Sequence, residues 1–112
     1  MNQTLPLEQL GLPLNDVRRN PTDSVEQEFL AFHAANPHVY KALAHMALGQ
    51  SRAGKDRGSI NQMFEVLRWS SLATTGEEWK LNNSYRALYA RRLMDDEPEL
   101  DGFFETRQRR AA

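Results

Sequence analysis

The run from residue 59 to residue 107 constrains the fold most strongly, because it contains two helical patterns together with their boundary signals. Ser59 is a favourable N-cap, and Gln62 follows at capping-box spacing. Apolar side chains then recur at helical spacing, at Ile60, Met63, Phe64 and Leu67. The second pattern begins at the Asn82-Asn83 pair and must end before Pro98, since proline breaks a helix interior. These signals predict a helix-rich fold.

The same boundary signals occur upstream. Ser24 and Gln27 have capping-box spacing, and Asn36-Pro37 both ends one helix and begins the next, because the residue before proline avoids helical angles. The chain is therefore predicted to be mainly α, a single compact domain of four main helices. Their expected positions are about residues 25–35, 37–49 and 60–70, and from Asn82 or Asn83 to just before Pro98.

The connection between the third and fourth helices is the least regular part of the pattern. Thr74-Thr75-Gly76 is a turn signal, and Trp79-Lys80-Leu81 alternates as a very short strand or an extended connection would. A minimal β-hairpin near residues 71–81 would make the domain winged-helix-like. An open helical bundle is the alternative.

A chain of 112 residues is long enough for one domain. Its two ends differ in composition from the part between them. Residues 1–22 form an arm rich in leucine and proline, residues 23–106 the helical domain, and residues 107–112 a loose basic tail. The leucines of the arm are expected to pack against the chain's own domain, since an exposed apolar peptide aggregates. The alternative is a peptide that docks on a partner.

Composition excludes several classes of function. With no cysteine there is no disulfide framework, thiolate metal site or cysteine nucleophile, which suits a reducing cytoplasm. The chain shows no export signal and no apolar run of membrane-spanning length, so we expect a soluble protein. A net charge of -1 gives no global attraction to nucleic acid, so any such binding must come from a local basic patch.

No residue pattern indicates catalysis, a metal or a cofactor. His38 and His45 are separated by two helical turns, too far apart to share one ion, and the histidines are expected to be solvated or at an edge. The acidic run Asp95-Asp96-Glu97 lacks the calcium-loop pattern, and we expect nearby arginines to pair with it. The chain is therefore predicted not to be an enzyme and to carry no cofactor.

Two features favour binding. Residues 50–58, a loop or a fraying helix end, contain the densest group of basic residues, and the outward face of the third helix follows directly. Asn, Gln and Arg side chains are those that read purine edges, although a solvated face with Glu65 at its centre explains the pattern equally well. An exposed Trp69 would need a partner or a covering loop. The candidate binding residues are Arg52, Lys55, Arg57, Asn61, Gln62, Arg68, Trp69 and Lys80.

Arg92 is a further candidate, because a helical wheel places it between Tyr85 and Leu88 in an apolar arc. A buried guanidinium must be paired, so we expect an internal salt bridge to Glu65 or to the acidic run. The alternative is an arginine that binds a phosphate or a partner's carboxylate.

From about Phe32 to Arg107 the chain resembles a family of small, largely uncharacterised proteins of tailed phages and prophages. The segments that carry the resemblance are Asn36-Pro37-His38-Val39-Tyr40, Ser59 to Trp69, Trp79-Lys80-Leu81-Asn82-Asn83, Tyr89-Ala90-Arg91 and Pro98 to Phe104. The resemblance implies phage origin and action in the cytoplasm of an infected bacterium, and it implies no catalytic residue.

Two functions follow as hypotheses. The first is a small phage-encoded DNA-binding domain of helix-turn-helix or winged-helix type, with the basic loop on phosphates and the third helix on bases. The second is a protein–protein interaction module that binds and modulates a bacterial host protein or a phage protein.

Overall fold

The computed structural model describes residues 10–17 and 22–104, and this part of the chain is mainly helical and compact. It contains four α-helices, which are α1 (Val25–Ala35), α2 (Pro37–Arg52), α3 (Ile60–Thr75) and α4 (Arg86–Asp96). Short 3₁₀ turns at Asn83–Tyr85 and Pro98–Leu100 precede and follow α4. The predicted fold class is confirmed.

The starts of α1 and α3 depend on side chains that satisfy free backbone N–H groups. The Ser24 hydroxyl accepts from the Gln27 amide, and the Gln27 side chain accepts from the Ser24 amide, so the capping box is complete. Ser59 caps α3 by the hydroxyl alone, which accepts from the Gln62 amide. α1 ends at Asn36, and Pro37 then opens α2 as its first residue.

An aromatic cluster forms the centre of the core where α1, α3 and α4 meet. Tyr89 is fully buried, and its ring meets Phe29 edge-on with 4.7 Å between ring centroids. Phe64 of α3 contacts the same tyrosine ring at 6.0 Å. The core therefore depends on residues spread over most of the chain.

Residues 71–81 do not form the hairpin expected as one alternative. Residues 71–75 continue α3, which ends at Gly76, whose backbone adopts the left-handed conformation at φ 80°. The chain then runs as an irregular extended segment in which Trp79 and Leu81 are buried and Lys80 is exposed. The alternation predicted for these three residues is confirmed, and it serves an extended connection rather than a strand.

The end of the described chain closes the core. Phe103 and Phe104 are buried after a turn at Gly102, and the Gly58 amide donates to the Phe103 carbonyl at 3.0 Å. A side chain at Gly58 would overlap the Phe103 ring, because a Cβ there would lie 2.2 Å from a ring carbon. The basic tail expected at residues 107–112 lies outside the described residues.

Residues 10–17 lie on the helical domain. Leu10 is buried, the Trp79 indole N–H donates to the Leu12 carbonyl at 3.0 Å, and the Asn15 amide donates to the Asn36 side chain at 2.6 Å. The expectation that the leucines of the arm pack against its own domain is confirmed for Leu10 and Leu14, whereas Leu12 is 47% exposed. Leu5 and Leu7 lie outside the described residues.

Candidate binding surfaces

The basic loop precedes α3, and its three cations differ in what they contact. Arg52 forms a bidentate ion pair with Glu99, at 2.7 and 2.9 Å, and this pairing holds the pKa of the Glu99 carboxyl below its usual value. Lys55 and Arg57 are exposed and form no ion pair within residues 10–17 and 22–104. Two of the three predicted cations are therefore accessible to a ligand, whereas Arg52 anchors the end of α2.

Asn61 and Gln62 lie exposed in the first turn of α3, next to this loop. Trp69 lies about 10 Å further along the helix axis. Lys80 lies beside the second half of α3, because its neighbours Trp79 and Leu81 hydrogen-bond to the side chains of Ser71 and Arg68. The predicted binding residues therefore do not form one patch. The loop cations and the two amide side chains share one end of α3, and Lys80 is remote from them.

Arg68 connects α3 to the segment that follows it. Its guanidinium donates to Glu65 at 2.6 Å, to the Leu81 carbonyl at 2.9 Å and to the Asn83 side chain, and it lies over the Phe64 ring. Only 15% of the Arg68 side chain is exposed. The side chain predicted to read bases is thus occupied in holding the extended segment against α3.

An apolar strip defined by Val66, Trp69 and Leu72 runs along the exposed side of α3. Trp69 is 71% exposed, with Val66 at 43% and Leu72 at 38%. These residues are spaced by three along the helix and therefore share one face. No loop of the described chain covers Trp69, so its indole is available to a partner.

Arg92 does not occupy the buried position predicted for it. Its side chain is 41% exposed, and its Nε lies 3.4 Å from Oδ2 of Asp96, one turn along α4. The predicted burial is wrong because Tyr85 belongs to the 3₁₀ turn and not to α4. The buried face of α4 therefore centres on Tyr89 and Leu93, and Arg92 lies at its edge. The predicted ion pair of Arg92 with the acidic run is confirmed, and its predicted burial is wrong.

A small polar group surrounds this pair. The Tyr40 hydroxyl donates to Asp96 at 2.9 Å, and the His33 ring lies 5.2 Å from the Tyr40 ring. Burial and the nearby Arg92 cation hold the pKa of His33 below its usual value, while burial and the bond to Asp96 raise the pKa of Tyr40. The contacts tie the end of α4 to α2, and they explain how acidic residues are tolerated at a helix C-terminus.

His38 is buried, contrary to the expectation of a solvated histidine. Its ring packs edge-on against Trp79 at 5.3 Å and donates to the Pro13 carbonyl. The arm and the extended segment cover this face of α2, which no local pattern predicted. Burial holds the pKa of His38 below its usual value.

A cleft of about 390 Å³ lies between the arm, α1 and the extended segment after α3. Its walls include Leu12, Phe32 and Trp79, and it was missed because its sides come from three separate parts of the chain. One sequence feature could have indicated this cleft: the acidic pair Glu77-Glu78 directly precedes Trp79, and all three residues line it.

Within the described residues no three His, Asp or Glu side chains are placed to hold a metal ion. None of the helices found there is long and apolar enough to cross a membrane. No protein-family model, curated protein or solved structure matches this chain. The resemblance to phage proteins therefore stays a prediction.

Proposed function

We propose that the protein is a binding module that recognises another protein through the apolar strip of Val66, Trp69 and Leu72. The exposure of Trp69 carries the proposal. A tryptophan left in water on a helix face forgoes the burial that its large ring would gain, and buried tryptophans dominate the energy of protein interfaces. In line with the resemblance to phage proteins, the partner is a bacterial host protein or a phage protein, met in the host cytoplasm.

The test compares variants that differ only in the strip. Trp69→Ser should abolish capture of a stoichiometric protein from a bacterial lysate, while the wild-type chain retains it in high salt after nuclease treatment. Leu30→Ser is the matched control, because Leu30 is an exposed apolar side chain of α1 outside the strip. A protein captured equally by wild type and Trp69→Ser, or no captured protein, would count against the proposal.

DNA binding is the second candidate, supported by the exposed Lys55 and Arg57 beside Asn61 and Gln62 at the start of α3. In this case the loop cations contact phosphates and the two amide side chains reach base edges. Arg68 is excluded from this role because its donors are bonded within the chain.

A mobility shift titrated with salt tests the second candidate. Retardation of duplex DNA at low salt should weaken steeply as salt rises, because each neutralised phosphate releases counterions. Lys55→Gln with Arg57→Gln should remove the retardation, whereas Trp69→Ser should leave it. No retardation at low salt would exclude DNA binding.

A further inference from the structure

We propose that the cleft between the arm, α1 and the extended segment binds a basic peptide segment of a partner protein that carries an apolar side chain between cationic ones. This site is separate from the apolar strip on α3. Its volume of about 390 Å³ lies in the range of pockets that enclose a ligand.

The charge of the lining selects the ligand. Among the described residues the cleft is lined by five carboxylates and a single basic side chain, Lys80, although the whole chain carries a net charge of only -1. The five are Asp16, Asp23, Glu28, Glu77 and Glu78. None of them forms an ion pair with a cation of residues 10–17 or 22–104. A cationic ligand is attracted to such a rim, and a polyanion such as nucleic acid is repelled.

The placement of these carboxylates favours a ligand with several cations over a single metal ion. No three acidic side chains of the described chain are placed to hold one ion. The negative charge is instead distributed along the rim. An extended ligand with several separated cations fits this distribution.

The walls between the carboxylates supply the second element of recognition. Leu12, Phe32 and Trp79 present apolar surface to the cleft. The indole of Trp79 is held by its bond to the Leu12 carbonyl, so this wall is positioned before a ligand arrives. A leucine or aromatic side chain between two arginines would bury its apolar part here while its neighbours reach the rim.

The chain's two tryptophans make the site observable in solution. Titration with the acetylated, amidated peptide Arg-Leu-Arg-Leu-Arg should shift the indole N–H resonance of Trp79 and leave that of Trp69 in place. Peptides with glutamate in place of arginine, or alanine in place of leucine, should bind at least several-fold more weakly. A shift at Trp69 alone, or equal binding of the acidic peptide, would overturn the site.

Charge removal tests the rim. The triple variant Asp23→Asn, Glu77→Gln, Glu78→Gln should weaken peptide binding about tenfold, because three partly exposed ion pairs each contribute a few-fold. The control variant Asp56→Asn, Asp95→Asn, Asp101→Asn removes the same charge outside the cleft and should bind as the wild type does. Equal affinities of the two triple variants would overturn the proposal.

The chain's own arginines are the competing occupant. Arg18 and Arg19 lie outside the described residues and follow Val17, a residue of the lining. If the double variant Arg18→Ala, Arg19→Ala binds the peptide and the wild-type chain does not, the chain's own arginines occupy the cleft and the proposal is wrong. Binding by the wild-type chain supports it. The Trp69→Ser variant should bind this peptide normally, so failure of the strip and failure of the cleft are distinguishable.

Discussion

Arg68 is the residue whose observed role differs most from its predicted one, which was to bind a ligand from the exposed face of the third helix. Its guanidinium satisfies the Leu81 carbonyl and the Asn83 side chain, two groups that belong to the segment after α3. Removal of a charged donor leaves such partners without their bond. Arg68 is therefore a structural residue, and its loss should loosen the extended segment.

We expect Arg68→Met to destabilise the fold by ~2–3 kcal/mol, the range for a lost set of charged hydrogen bonds. Glu65→Ala is the control, because it removes only the exposed end of the Glu65–Arg68 ion pair and should cost less than about 1 kcal/mol. Urea unfolding of both variants measures the difference. Equal stabilities for the two would show that the bonds to Leu81 and Asn83 contribute nothing.

His33 and His38 give the protein a predictable response to pH. Burial holds both pKa values below the usual 6.5. The unfolded chain therefore binds protons more readily than the native one once pH falls below this value, so stability is complete above it and declines as pH drops towards the native pKa values.

The melting temperature of the wild-type protein should accordingly fall between about pH 7.5 and about pH 5.5. His33→Gln combined with His38→Gln should flatten this slope, even though the loss of the Pro13 contact lowers the melting temperature at every pH. A slope unchanged by the double substitution would show that other groups carry the pH dependence. Thermal melts across this window are sufficient.

At the scale of elements, Gly76 determines where α3 stops. The helix runs five residues past the end expected at residue 70, and it terminates where the backbone turns left-handed. Buried Ser71 also stabilises the extension, because its hydroxyl accepts from the Trp79 amide at 2.9 Å. The polar composition of residues 71–75 suggested a loop, whereas the glycine and this contact favour helix.

Gly76→Ala should destabilise the fold by about 1–2 kcal/mol, the cost of placing a Cβ in the left-handed conformation. Apart from the two adjacent residues, no atom of residues 10–17 or 22–104 lies within 4 Å of the new Cβ, so the effect is one of backbone conformation and not of packing. Gly76→Asn should cost less, since asparagine tolerates this conformation better. Denaturant unfolding should therefore rank wild type above Asn and Asn above Ala, and any other order contradicts this account.

Gly58 allows the segment before α3 to pack directly against the Phe103 ring. Gly58→Ala should destabilise by about 1–3 kcal/mol through overpacking. Gly58→Ala should cost less when it is combined with Phe103→Leu than when it is made alone, because the smaller leucine side chain leaves room for the new methyl group. Additive losses in a double-mutant cycle would show that the two residues do not interact.

At the scale of the whole molecule, Asn36 joins the arm to the helical domain. It is fully buried at the junction of α1 and α2, and its side chain accepts from the Asn15 amide and donates to the Asn15 carbonyl. These bonds pair both backbone groups of Asn15. The arm is therefore integrated into the fold at this point, and it supplies one wall of the acidic cleft.

Asn36→Ala should cost about 2 kcal/mol, because it leaves backbone groups of Asn15 unpaired at a partly buried site. Hydrogen exchange at the Asn15 amide should accelerate more than exchange in the core of α4. Asn15→Ala is the control, since it removes the side-chain bond to Ala35 but keeps the backbone bonds. Retained protection at Asn15 in the Asn36→Ala variant would contradict this role.

The sequence by itself determined much of the local structure: the N-caps Ser24 and Ser59, the Asn36-Pro37 break and the apolar spacing place α1, the start of α2 and the start of α3, because these signals act within a few residues. The predicted start of the fourth helix is wrong, because Asn82 caps the 3₁₀ turn and α4 begins only at Arg86. Tertiary structure decided what the side chains do. Arg68 and His38 are occupied by segments distant in the sequence, Arg92 lies at an edge because a 3₁₀ turn shifts the helix, and the acidic cleft exists only where three segments meet. Such contacts depend on how whole elements pack, and a single sequence contains no local periodicity that encodes this.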